Sequence, residues 1–505
     1  MTVGALLQLE YGNTDRMAFL TLNPQITHFK SVYKKYTNFA TQFITVQPIA
    51  KSSGLSWNLN TKYSFQIPRD GDAIRDIYLS IELPDIYSDS NYQFQWIKRI
   101  GEYIVRDVVL KIDTDQNVDK HYGEWFHAYS ELNYNEGKKK GYYKLIGHVP
   151  ELYEPSNAPG NGGIYPSVPN AYAPSIVNRR IYLPLIFWFN KYASMSFPLI
   201  AIQKKIINIE FNLRPLSELY TVIDYAGVGG SGYRVKPSKP NHYIGNFFNP
   251  VNSNINNIDV NPRLEINNIF LDNEERKRFA LSSHEYLITQ IQNIEVSQAA
   301  PGTNIIIDLK NINKPVTELI FMIRRSDMED VNDWSNYTNW NMNDIPPYSN
   351  GYFNPYGSPL SIDSTNIAFY KTQNILKSAV IRIQTQEITS GDVSNNDTPL
   401  GSRISGKDYI FYNLLQNFNS NTNMPNEGIY TYSFSLDNSN MQPVGAVNMS
   451  SINNKDILLN LTQINPNGGY NYPNGTVYNY IINVFAVNYD ILKIMGGMVG
   501  IMTSN

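Results

Sequence analysis

The sequence predicts a mostly β protein made of two similar units in tandem, and three observations carry that expectation. Aromatic residues form 13% of the chain, with 37 Tyr and 22 Phe, and Asn is abundant. Aromatic side chains suit pleated surfaces and Asn suits turns, so strands joined by many turns follow. Apolar residues alternate with Asn208, Glu210 and Asn212 from Ile207 to Leu213, and a second alternating stretch runs from Ile457 to Leu461; period two marks a half-buried strand. At 505 residues the chain is too long for one core, which suggests two domains of ordinary to large size.

A faint repeat supports the tandem reading. The apolar run Leu183 to Phe189, a turn at Phe197-Pro198 and the alternating strand to Leu213 are stopped by Arg214-Pro215, because proline cannot donate to a ladder. Near the other end, Gln442-Pro443 precedes a small-residue segment, the polar Asn453 to Asp456 and the strand Ile457 to Leu461. Two β units of similar size would explain why the order recurs.

In chain order, Met1 to Leu22 has no clear period and resembles an arm. Asn23-Pro24 offers an N-cap and a proline at the first helical position, and Ile26, Phe29, Val32, Tyr33 and Tyr36 recur at helical spacing, so a short amphipathic helix is expected. Strands are expected at 37–48, 62–68, 76–83 and 103–112, and a helix at 123–132 with Trp125, Phe126, Tyr129 and Leu132 on one face. Residues 150–174, rich in Gly, Pro and Asn, read as a long loop, and 225–250 as linker or loop with room for a hidden strand. Further strands are expected at 263–271, 304–309, 316–325, 430–436, 456–461 and 477–494. The long polar segments 327–361 and 389–427 suggest loops with a task such as lateral contact or surface decoration.

Composition narrows the function. A net charge of −3 leaves no footprint for duplex nucleic acid, which needs clustered basic residues. The one basic run, Lys138 to Lys140 between Gly137 and Gly141, is expected to be a solvated loop. With no Cys, disulfides and thiolate zinc sites are excluded, in keeping with assembly in a reducing compartment. Met1 to Leu9 lacks signal-peptide features. The apolar runs fall far short of the ~18 residues of a membrane span, so a soluble protein is expected.

Asp113, Asp115, Asn117, Asp119 and Glu124 occupy positions one, three, five, seven and twelve of an EF-hand calcium pattern. Val118 stands where the loop requires Gly, and the preceding residues read as strand, which favours a polar turn over a metal site. His121 and His127 lack metal-site spacing, and His284-Glu285 reads as structural. Arg69-Asp70-Gly71-Asp72 is turn chemistry before it is an acid pair. No P-loop or nucleophile elbow occurs, so neither a catalytic site nor a cofactor is expected. Sequons stand at Asn336, Asn396, Asn448, Asn460 and Asn474, as an Asn-rich chain yields by chance.

Several blocks resemble the major capsid proteins of nucleocytoplasmic large DNA viruses, those of large icosahedral algal and protist viruses. They are Leu22-Asn23-Pro24-Gln25-Ile26-Thr27 with Phe29 and Tyr36; Tyr122-Gly123-Glu124-Trp125; Leu183-Pro184 with Trp188; and Pro198 to Gln203. In the second half they are Leu271-Asp272 with Glu275-Arg276, His284 to Ile288, Pro315-Val316, Tyr432 to Leu436, Gln442-Pro443, Ala486 to Tyr489, and Gly496-Gly497-Met498. Ser451 departs from the Arg common in the family. The resemblance implies an all-β double jelly roll, two consecutive eight-stranded rolls with short helices and long loops. Its expected divisions are an arm at 1–22, a first roll at 23–215, a linker at 216–262 and a second roll at 263–505. It further implies a homotrimeric capsomer of the virion, assembled in the host cytoplasm. Expected contacts are neighbouring capsomers, minor capsid and penton proteins and an internal viral membrane, but no direct nucleic acid. The competing expectation, drawn from abundant Tyr and Trp and long loops, is a tandem β-sandwich that binds or hydrolyses carbohydrate.

Overall fold

The computed structural model describes residues 2–7, 19–50, 54–113, 116–168, 173–226, 233–252, 257–300, 304–337, 375–388, 410–426, 428–461 and 479–502. The first eleven strands are β1 (Phe39–Val46), β2 (Thr61–Gln66), β3 (Ala73–Leu83), β4 (Tyr92–Trp96), β5 (Val105–Ile112), β6 (Gln116–Tyr122), β7 (Arg179–Pro184), β8 (Ile207–Leu213), β9 (Tyr220–Asp224), β10 (Tyr233–Val235) and β11 (Arg263–Leu271). The remainder are β12 (His284–Ala299), β13 (Asn304–Asp308), β14 (Pro315–Arg325), β15 (Leu376–Ile383), β16 (Gln386–Glu387), β17 (Ile429–Ser433), β18 (Val447–Asn448), β19 (Lys455–Leu461), β20 (Tyr480–Met495) and β21 (Met498–Ile501).

Two antiparallel sheets, β1-β11-β3-β7 and β2-β8-β5-β6, enclose the first core, with a small β10-β9-β4 sheet beside them. The second unit has the order β12-β20-β14-β17, with β18 and β21 attached, and the sheet β13-β19-β15-β16. Period two dictates which side chains meet. Ile77 pairs with Ile266 in one sheet, Ile209 pairs with Phe65 on one side and Leu110 on the other in the second sheet, and all five are buried in one cluster. On β8 burial alternates residue by residue, as expected for a strand with one face on the core.

The 11-residue β14 differs, because both of its faces are covered. Leu319, Phe321 and Ile323 enter the core of the second unit, while Ile320 and Met322 join the cluster of the first. This double burial explains the unbroken apolar run Leu319-Ile320-Phe321-Met322-Ile323.

Four expectations need correction. Residues 23–36 are not helical: Asn23 has φ 54, and the five side chains at helical spacing are exposed. A helix of this length is marginal in water unless its apolar face is covered, and nothing among the described residues covers it. The strand expected to open the second unit, β11, instead lies between β1 and β3 of the first sheet, where Leu264 and Ile266 complete its apolar row. The lysine run is no solvated loop but part of the helix Glu136–Leu145, capped by Asn135, whose carboxamide oxygen accepts from the Lys138 amide. Residues 225–250 are not a free linker: they hold a strand, β10, as the sequence left room for, and two helical turns, the second of which buries Ile244 and Phe247, with Phe247 against Phe94.

Candidate functional site

The residues that could do chemistry are engaged in holding the molecule together, and they cluster at two places. Under the helices Gly123–Asn133 and Glu136–Leu145 lies a buried polar network centred on Arg99. Its Nη1 donates to Glu102 Oε1 at 3.2 Å and to Ser130 Oγ at 3.2 Å, and its Nη2 donates to Glu131 and, at 3.0 Å, to Tyr143 Oη. Lys139 Nζ donates to Glu131 Oε2 at 3.0 Å, and Tyr142 Oη donates to Glu102 Oε1 at 2.8 Å. Two cations face two carboxylates, so the group is neutral as a whole. Burial raises the Glu102 carboxyl in spite of Arg99. The same burial is outweighed at Glu131 by Arg99 and Lys139 together, which hold its carboxyl below the usual range.

The second cluster forms the seam between the units. Asn332 Nδ2 donates to the carbonyls of Ser217 and Tyr220, each at 2.8 Å, and Trp334 Nε1 donates to the Glu218 carbonyl at 2.9 Å. The guanidinium groups of Arg214 and Arg324 lie 4.2 and 4.9 Å from the Trp334 ring centre, and both pair with Glu124, at 2.9 and 3.6 Å. Tyr337 Oη meets Tyr103 Oη at 3.0 Å, and Tyr103 Oη meets His127 Nδ1 at 2.8 Å. Stacking of both guanidinium groups on Trp334 and their pairing with Glu124 offset the cost of burying charge at this seam. Gly428, at φ +88, packs directly on the Tyr337 backbone. Gly428→Ala should therefore cost on the order of 3 kcal/mol of stability in chemical denaturation, since a Cβ meets both a strained φ and a carbonyl.

A small cavity of about 80 Å³ opens on the same seam, lined by Trp125, Trp188, Lys191, Thr289, Glu318 and Tyr489 among others. Lys191 Nζ donates to Thr289 Oγ1 at 3.1 Å, and Glu318 Oε2 accepts from Asn438 Nδ2 at 2.7 Å. Burial pushes the Glu318 carboxyl up to about 7, in spite of Lys191 and Asn438.

The calcium pattern is taken apart by the fold. Asp113 sits in the β5–β6 hairpin turn and binds the Ile206 amide at 2.9 Å and the Lys205 ammonium. Asp119 accepts from the Ile291 amide at 3.1 Å and meets His121 Nε2 at 2.9 Å, whereas Glu124 faces the two arginines. Asn117 lies on β6, paired with Lys111, and Asp115 falls outside the described residues. Among the described residues no group of three His, Asp or Glu is placed to hold a metal. Asp72 accepts from the Leu271 amide at 2.8 Å and from Arg276, so Arg69 to Asp72 is a turn that ties β3 to β11. Of the sequons, Asn336 is fully buried, Asn448 is exposed and Asn460 half-buried, while Asn396 and Asn474 lie outside the described residues.

The family-signature residues divide into two groups. Trp125, Trp188 and Pro198 are buried, with Trp125 against Phe485 and Trp188 against Phe197. Pro184 ends β7 opposite Tyr78, Pro315 opens β14 opposite Asn448, and Tyr489 pairs with Thr289 on β12. Gly497 turns the β20–β21 hairpin at φ +79, and its carbonyl accepts from the Lys204 amide at 3.0 Å, joining that hairpin to the first unit. Asn23, Pro24, Gln25, Phe29, Tyr36, Gln442 and Pro443 are instead exposed in the single chain. Ser451 Oγ donates to the Asn448 carbonyl at 2.8 Å.

Two antiparallel double-sheet units fused by a buried seam make a double jelly-roll protein. The comparisons agree. The family described as "Major capsid protein N-terminus" matches residues 27–272, and "Large eukaryotic DNA virus major capsid protein" matches 275–500. The chain belongs to the major capsid proteins of large eukaryotic DNA viruses. The major capsid protein of Phaeocystis pouchetii virus is 26% identical, with 99% of this chain and 100% of the relative covered. That of Paramecium bursaria Chlorella virus 1 is 27% identical over the same shares. Among solved structures, a chain of the PBCV-1 virus capsid superposes with a TM-score of 0.66 at 25% identity, covering 95% of this chain and all of the other. The Faustovirus major capsid protein has the same fold, with a TM-score of 0.62 at 13% identity over 97% and 96% of the two chains. The family is structural, not enzymatic, and the relatives are capsid proteins, which overturns the carbohydrate-binding alternative.

Proposed function

We propose that three copies of this chain close into a pseudo-hexagonal capsomer that tiles the icosahedral shell of a large DNA virus. The observation that carries this reading is the seam. Arg214, Arg324, Trp334 and Glu124 lock two similar β units into one block, and a threefold ring of such blocks presents six similar sides. The experiment is the solution mass by light scattering with negative-stain images of the same fraction. A mass near three times 57.6 kDa with hexagonal outlines is expected; a stable monomer at all salt concentrations would overturn the reading.

Within the capsomer, we assign the first roll to residues up to 271, since β11 completes its sheet, and the second to residues beyond the helix Asn273–Leu281. Of the long polar segments expected to make lateral contacts or decorate the surface, residues 327–337 belong to the seam and 410–426 pack in the second unit, while 338–361 and 389–409 lie outside the described residues. The shell's further contacts are neighbouring capsomers and minor capsid and penton proteins. Assembly takes place in the host cytoplasm, in keeping with a chain free of cysteine. The arm 1–22 faces inward, towards minor proteins or an internal membrane. No helix among the described residues is long and apolar enough to cross a membrane. Deleting residues 2–22 should leave the thermal unfolding of the capsomer within about 0.5 kcal/mol of the parent and impair shell assembly, scored by electron microscopy. Normal shells from the truncated chain would refute the role of the arm.

A further inference from the structure

The segment Gln25–Tyr36 carries an unresolved contradiction between its sequence and its surroundings. Ile26, Phe29, Val32, Tyr33 and Tyr36 fall on one ~120° stripe at 100° per residue, with His28, Lys30, Lys34 and Lys35 away from it. Yet the segment is not helical, and these five side chains are 75%, 98%, 85%, 88% and 84% exposed. Among the described residues, the stripe's one ring contact runs from Tyr36 to Phe39, 6.4 Å between centres. A row of large apolar groups this exposed marks a surface that is covered in the working state.

We infer that Gln25–Tyr36 folds into an amphipathic helix by docking its apolar stripe on a second copy of this chain. The inference rests on the reading of the protein as a self-assembling capsomer. Three arguments select a second copy as the partner. The first is charge: the segment holds three lysines and no acid, so a chain of net charge −3 leaves −6 on the remainder. Charge complementarity draws the basic segment to the acidic body of a neighbouring copy; an anionic lipid surface would attract it as well, and vesicles containing phosphatidylserine distinguish the two. The second is reach. The segment leads directly into β1, the edge strand of its sheet, whose Phe39 and Phe43 are also exposed. Once helical, Gln25–Tyr36 is about 18 Å long and, with the residues before Phe39 extended, reaches roughly 25 Å from the sheet edge, enough to lie on an adjoining copy. The third is closure: in a ring of identical copies every segment finds one identical receiving surface and none is left over. Docking supplies the apolar cover that a short helix needs, so folding and binding are coupled.

The test is amide hydrogen exchange of residues 25–36 in the full chain, as dilute monomer and as assembled capsomer, with the variant F29D/Y33D beside it. Both substituted side chains are exposed in the single chain, so the monomer of the variant should unfold at the parent temperature. In the parent, protection of 25–36 should rise at least tenfold on assembly. The variant should lose that protection and need at least tenfold more protein to assemble. Parent capsomers whose 25–36 amides still exchange at the monomer rate would overturn the inference while leaving the capsomer reading intact. So would a variant that assembles like the parent. Protection that appears only with vesicles containing phosphatidylserine would overturn it in favour of a lipid surface. Failure of the parent to assemble at any concentration would remove the capsomer reading itself.

Discussion

Arg99→Ala should destabilise the first unit by about 3–5 kcal/mol, the cost of stripping one partner from a buried ion group. Arg99 is 3% exposed and reaches both Glu102 and Glu131, which are 0% and 1% exposed. Removing it leaves Lys139 as the one cation paired with either carboxylate. Burial disfavours the charged guanidinium, yet Glu102 and Glu131 raise its affinity for the proton further still, so it remains a cation over the accessible pH range. Urea denaturation followed by tryptophan fluorescence measures the effect. Adding Glu102→Gln to Arg99→Ala should recover part of the loss, because the carboxylate left without a cation disappears while Lys139 keeps its pairing with Glu131. A loss below about 1 kcal/mol for Arg99→Ala would show that the network adjusts by admitting water.

The second large effect is pH-dependent and centres on Glu318. Its carboxyl is pushed from 4.5 to about 7 by burial, against the pull of Lys191 and the hydrogen bond from Asn438. Below about 4.5 the group is protonated in both folded and unfolded chains and costs nothing. Between 4.5 and 7 the unfolded chain releases the proton while the folded one retains it. Stability therefore falls as pH rises through this window, and above 7 the full penalty is present. A displacement of this size corresponds to about 3 kcal/mol. Glu318→Gln preserves an acceptor for Asn438 and removes the titration. The variant should match the parent near pH 4.5 and exceed it by about 3 kcal/mol at pH 8, in parallel denaturation curves with Lys191 present in both. Parallel stability of the two proteins across the range would refute the assignment. The seam joining the units is thus held more firmly in mild acid than in mild base, as far as this residue is concerned.

Much of the fold is legible in the sequence wherever a strand has one wet face. β8 and β19 announce themselves by alternation, and in both burial alternates as the residues do. The 16-residue β12 escapes detection, because its faces are mostly half-buried and its side chains mix polar and apolar without a clean period. The Arg99 network is harder still to foresee. Arg99 and Glu131 are 32 residues apart in sequence, and neither spacing nor residue type marks them as partners. Lys139 shows the limit most clearly: within a lysine run flanked by glycines it reads as solvated, yet its helix turns it inward onto Glu131 and buries it.

The sequence by itself determined the β class, the tandem organisation, the helix of Trp125 and the membership of a capsid family through short motifs along the chain. These depend on local periodicity and residue type, which report that a face will be covered. What covers each face was decided by tertiary structure alone. It set β11 into the first sheet, buried both faces of β14, drew the calcium-like acids apart to amides, a lysine, a histidine and arginines, and left the helical stripe of Ile26 to Tyr36 bare. The physical reason is that burial stabilises an apolar face whichever partner provides it, so the pattern encodes the need for a partner but not its identity.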